Sequence, residues 1–266
     1  MEEDKQLQDF VRAMPKVELH AHLNGCIRED TIFQLAEQRN VTLSSTHFGR
    51  QHEEEQTHQP LSSSESENSY SYMYNVRPRS LQDCFEMFAE IPKVVDDADA
   101  LRRITREALE DFARHHVVYL ELRSTPKIMK RDGLTKREYI ETILKVLKEF
   151  EQEQEEQYQS AILENNKQST VGTPVRMPMK CRFIVSIDRS GSVEEAEENF
   201  ALAISFFQEP NSLVVGVDIG GNPTRNDFRD FQGSITNARH AGLKVTVHCG
   251  TWLLYYTCGC VIGDYI

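Results

Sequence analysis

Short apolar runs alternate with longer amphipathic stretches along this chain. Lys16 to Leu23, Val117 to Ser124, Cys181 to Asp188, Leu213 to Ile219 and Lys244 to His248 are strand-length and rich in Val, Ile, Leu or Tyr. Between them, Ala100 to His115, Thr135 to Glu153, Val193 to Phe207 and Asp227 to Ala241 carry apolar residues at helical spacing. This order predicts a parallel sheet covered by helices, the α/β class. A doubly wound sheet and a TIM (β/α)8 barrel both satisfy it. No Gly-x-Gly-x-x-Gly follows the first run, and polar or ionisable residues instead end successive strands: His20 and His22, Ser124 and Thr125, Asp188, Gly220 and Gly221, and His248. Barrels gather their chemistry at those strand ends, so the barrel is the expected fold and the five ends point to one pocket.

Two stretches lack this periodicity. Residues 47–79, with SSSESENSYSYMY, and 152–178, rich in Gln, Asn, Ser and Pro, are expected to be mobile insertions within one barrel domain spanning 1–250. No apolar run approaches the roughly 20 residues of a membrane helix. The acidic, amphipathic start MEEDKQLQDF is unlike a leader, which places the protein in the cytosol. The six cysteines (Cys26, Cys84, Cys181, Cys249, Cys258, Cys260) follow no framework and are expected to be reduced thiols. A net charge of −12 argues against a broad nucleic-acid surface, so the expected partner is a small molecule.

In VELHAHLNG, His20 and His22 are two apart on a strand, so both rings leave the same face and can reach one ion. The alternative is a pair of hydrogen-bonded or solvent-facing histidines. His248, ending LKVTVHCG, adds a third imidazole at another strand end, although alone it would suit a satisfied core position. Three imidazoles with open positions fit zinc best, and also suit iron or cobalt.

With VELHAHLNG, YLELRSTPK, GVDIGGNP and KVTVHCG in this order, the chain resembles the adenosine deaminase family, most closely its adenosine deaminase-like branch acting on N(6)-methyl-AMP. The resemblance implies a zinc-dependent deaminase of purine nucleoside monophosphates, a monomer in its intact form. It makes His20, His22 and His248 ligands of one zinc ion and sets His22 and Asn24 beside the substrate. It also brings the Gly221 backbone to the purine, Ser124, Thr125, Pro126 and Lys127 to the phosphate, and Asp188 to the ribose or phosphate. A simple turn at Gly221, a capping loop at Ser124 and a helix cap at Asp188 are the plainer alternatives.

The sequence departs from the family after Gly250. Thr251 stands where the family has its catalytic glutamate, and TWLLYYTCGCVIGDYI at 251–266 bears no likeness to the family's later strands, which carry a further histidine and two aspartates. An incomplete barrel of about five of eight strands is therefore expected, with an unrelated tail. Three functions stay open: a nucleotide deaminase, a catalytically inactive zinc- or nucleotide-binding product, and a deaminase of the nucleoside.

Overall fold

The computed structural model describes residues 2–44, 81–167, 176–222 and 225–248, with side chains from residue 5 and, after the gap, from residue 86. The expected insertion at 47–79, the tail at 251–266 and Thr251 lie outside the described residues. The elements, in chain order, are α1 (Glu2–Ala13), β1 (Lys16–His22), α2 (Glu29–Arg39), α3 (Leu81–Val94), α4 (Ala98–Arg114) and β2 (Val117–Ser124). They continue with α5 (Lys136–Lys167), β3 (Lys180–Asp188), α6 (Val193–Phe207), β4 (Val214–Gly220), α7 (Gln232–His240) and β5 (Lys244–Val247). Short 3-10 turns occupy Leu23–Gly25 and Phe228–Phe231.

The chain divides into two compact units, Met1–Ile27 with Asp97–Ile266, and Arg28–Asp96. In the smaller unit α2 and α3 contact each other. Asp96 closes it with a salt bridge to Arg39 at 2.8 Å.

The larger unit is a five-stranded parallel sheet in sequential order β1-β2-β3-β4-β5, every neighbour joined through a helix-bearing crossover or longer connection. This is the arrangement of part of a TIM barrel. Alternation sorts each strand's side chains between two faces. Leu120, Leu122, Cys181, Phe183, Val185, Ile187, Val217 and Ile219 are at most 1% exposed and form the apolar face of the sheet. Leu101, Ile104 and Leu109 of α4, Ile140, Ile143 and Leu147 of α5 and Phe200 and Phe206 of α6 are buried with them. The opposite, polar face carries the histidines.

Local signals start two of the helices. Ser192 caps α6 in a reciprocal box with Glu195, and Asp97 accepts a hydrogen bond from the Ala100 amide to start α4. Of the insertion expected at 152–178, residues 168–175 lie outside the described residues, and 152–167 instead continue α5 to Lys167. Its second half is held by pairs one turn apart, Gln152 to Glu156 and Gln159 to Glu155, and by Arg106 on Glu153 across to α4. The Gln- and Glu-rich composition was helix-forming rather than loop-forming.

At the other end, Leu7, Phe10 and Val11 of α1 and Met14 just after it are exposed, as are Val17 and Leu19 of β1. Spacings of three and four put the α1 residues on one helix face. No described helix is long and apolar enough to cross a membrane.

Candidate metal centre

His20 and His22 close β1, and the register with β2 shifts between Glu18 and Ala21, where Glu18 folds back to accept the His20 amide proton at 2.7 Å. His248 follows β5, its amide bonded to the Ile219 carbonyl at 2.9 Å. The three Nε2 atoms form a near-equilateral triangle: His20 to His22 3.0 Å, His20 to His248 2.9 Å and His22 to His248 3.1 Å. Three hydrogen bonds cannot close it. However the protons are placed, at least one edge faces lone pair to lone pair or proton to proton. A cation held by all three lone pairs would remove that repulsion.

Zinc–nitrogen bonds of about 2.0–2.1 Å keep two nitrogens on one ion within roughly 4 Å of each other, which all three edges satisfy. The donor set therefore fits the metal that the sequence suggests. His20, His22 and His248 form the metal-competent group found among the described residues.

Behind His248 lies a buried charge network that the sequence reading passed over. Asp218 of β4 accepts from His248 Nδ1 at 3.1 Å and from Thr246 Oγ1 at 2.8 Å, and it pairs with Arg123 Nη1 at 3.2 Å. A carboxylate on Nδ1 fixes the tautomer with the proton there, leaving Nε2 as the lone pair aimed into the triangle. Burial works against the Asp218 carboxylate, but the hydrogen bonds from His248 and Thr246 and the Arg123 charge outweigh it and hold its pKa below the usual value. The Asp218 hydrogen bond raises His248. Burial, then His248, lowers His22 to about 4; burial, then Arg123 and His248, lowers His20.

The signs give a pH dependence for the metal-free chain. His22 titrates lower folded than unfolded, so its contribution to stability is complete above 6.5 and is lost as pH falls towards about 4. His248 has the opposite sign, contributing fully below 6.5 and losing that contribution as pH rises through its raised value. Denaturant titration of the metal-free protein should show falling stability on the acid side of neutrality, and replacing His22 with Phe should flatten that limb.

The other expected site residues take mixed positions. Asn24, in the turn after β1, has its Oδ1 buried with no hydrogen-bond partner among the described residues. Ser124 faces the helices, its hydroxyl 2.7 Å from the Tyr139 hydroxyl of α5. Thr125 and Lys127 are half-buried around a buried Pro126, just beyond β2. Asp188 accepts the Ser190 amide at 2.8 Å, capping its own turn, while Ser192 caps the helix. Gly221 has φ +89°, and a Cβ there would fall 2.1 Å from Asp188 Oδ1. Gly221→Ala should therefore displace Asp188 and lower stability by about 1–3 kcal/mol, read as a drop in melting temperature. Cys26 and Cys181 are free, their thiols pushed by burial up to about 11 and about 12.

The adenosine deaminase profile matches residues 15–253. The chain belongs to the adenosine deaminase family. Among curated relatives, N6-methyl-AMP deaminase-L of Xenopus laevis is 33% identical over 239 residues, covering 90% of this chain and 56% of its own. N6-mAMP deaminase of Arabidopsis thaliana is 32% identical over 246 residues, covering 91% of this chain and 61% of its own. The crystal structure of Arabidopsis ADAL complexed with IMP superposes with a TM-score of 0.65 at 30% identity, over 91% of this chain and 60% of that one. The chain thus spans little more than half the length of these family members.

Proposed function

We propose that this chain supplies the three-histidine metal centre of a zinc-dependent hydrolase that deaminates 6-substituted purine nucleoside monophosphates, with N(6)-methyl-AMP as the representative substrate, in the cytosol. The observation that carries the reading is the Nε2 triangle of His20, His22 and His248, with edges of 2.9–3.1 Å. The substrate class is supported by relatives named for N6-methyl-AMP and by a neighbour solved with IMP.

Zinc, when bound, would lower the pKa of a coordinated water towards neutrality, supplying hydroxide for attack on the purine carbon bearing the amine. The chain's own residues position and bind. Asp218 keeps the His248 lone pair turned inwards by holding its Nδ1 proton. The buried Asn24 Oδ1 offers an acceptor to a ligand donor. The missing side chain of Gly221 leaves its backbone open to a flat base. Thr125 and Lys127 are the hydroxyl and cation assigned to the phosphate, whereas Ser124 spends its hydroxyl on Tyr139.

A second reading, binding without turnover, is favoured by Thr251. A neutral hydroxyl cannot protonate the purine ring nitrogen as the family's glutamate does, and general acid–base catalysis is worth about 10²–10⁴-fold. The test is to purify this chain beside a version extended with a family-type C-terminal half, measure bound zinc in both and follow methylamine release from N(6)-methyl-AMP. Zinc in both and turnover in the extended form alone supports the metal-centre proposal and makes this chain a binder. Turnover by the chain itself, lost in His20→Ala, would sink the second reading. No zinc in either would sink the first.

A further inference from the structure

We infer that Arg123 is the positioning residue that ties the two halves of the histidine cluster together, the β1 half bearing His20 and His22 and the β5 half bearing His248. The inference rests on the metal-centre reading above.

β1 and β5 stand at opposite ends of the sheet order, with three strands between them and no pairing to each other among the described residues. Among the described residues, backbone hydrogen bonding therefore links His22 to His248 through four successive strand pairings. Small changes of twist at each would accumulate across the triangle. A direct tie would cancel them, and Arg123 is placed to act as one. It projects from β2 on the face opposite Ser124, and its side chain is 2% exposed.

One end of the guanidinium, Nη2, donates to the carbonyl of Leu19, the residue before His20. The other end, Nη1, pairs with Asp218 Oδ1 at 3.2 Å and lies 3.4 Å from Thr246 Oγ1. Asp218 in turn holds His248 Nδ1 at 3.1 Å. A single planar group thus reaches the backbone beneath two ligands and the carboxylate behind the third. Only a fork with donors on separate nitrogens spans both; a lysine ammonium could neutralise Asp218 or reach Leu19, but is a point charge without that fixed reach. Arg123 Nε and Asp218 Oδ2 are buried without partners, so the pair is not arranged for maximal hydrogen bonding. A network left partly unsatisfied is costly, which weighs against a purely stabilising role.

The plainer role is neutralisation of Asp218 alone, and Arg123→Lys separates the two because it keeps the charge. Zinc affinity of the full chain is measured by chelator competition, and amide exchange of the metal-free protein is followed at His20–His22 and Thr246–His248. The expected result is a folded Arg123→Lys protein with zinc affinity lowered about 10–100-fold, the range for groups behind metal ligands, and faster exchange at both strand ends. Arg123→Met, if it folds, should show at least as large a loss. Wild-type affinity and wild-type exchange in Arg123→Lys would overturn the inference. Should the wild-type chain bind no zinc, the metal reading fails by itself, and the exchange rates alone decide whether Arg123 ties the strands.

Discussion

His20→Ala should abolish measurable zinc binding while leaving the fold intact. His20 is exposed and contributes one edge nitrogen to each of two sides of the triangle, so its removal leaves only two ligands. Changes behind the ligands of a metal site cost 10–100-fold in affinity, and losing a ligand outright should cost at least about 100-fold. His20 packs little and its removal relieves the repulsive edge of the metal-free triangle, so the metal-free variant should melt at or slightly above the wild type. Zinc-dependent protection against heat should disappear with the affinity, since a ligand bound only by the native state stabilises it in proportion to occupancy. A His20→Ala protein still protected by stoichiometric zinc would remove the triangle from the argument.

Asp218→Ala should be the most destabilising change at the centre, by about 3–5 kcal/mol, because it strands the Arg123 guanidinium in a site where both side chains are at most 2% exposed. It also frees His248 Nδ1 from the acceptor that fixes its tautomer. Denaturant unfolding gives the stability. Nitrogen-15 shifts of the histidine rings give the tautomer, with His248 expected to change and His20 to stay. Asp218→Asn keeps the shape and an acceptor oxygen, so a milder loss is expected there. Equal stability of Asp218→Ala and wild type would mean that the network is not worth what its burial suggests.

Much of the sheet was legible because its strands are bounded by abrupt changes of pattern. Val117–Ser124 and Val193–Phe207 fall where periodicity puts them, the first an apolar run cut by Thr125-Pro126, the second opened by a Ser192–Glu195 box. The long α5 was half-legible: apolar periodicity fades after Glu153, and the remaining turns rest on polar pairs that look, by composition, like a loop. The three histidines were legible because two share a strand face and the third ends another strand. Arg123 and Asp218 were not, since a charge near the end of an apolar run, as in VVYLELRS and VVGVDIG, looks like a strand end or a turn. What reveals them is strand register. Strict alternation sets Arg123 and Ser124 on opposite faces, which also explains why Ser124 meets Tyr139 rather than facing the centre. The pairing of Asp218 with Thr246 places that carboxylate two residues behind His248.

The apolar stripe of α1 and β1 sets how this protein responds to ionic strength. With a net charge of −12, copies of the chain repel each other at low salt. Added salt screens that repulsion over a Debye length of about 10 Å at 0.1 M, and strongly hydrated anions such as sulfate strengthen the attraction between apolar surfaces. Leu7, Phe10, Val11, Met14, Val17 and Leu19 offer such a surface. Screening and salting-out therefore pull the same way here: the chain is expected to stay dispersed in dilute buffer and to self-associate through these residues in sulfate.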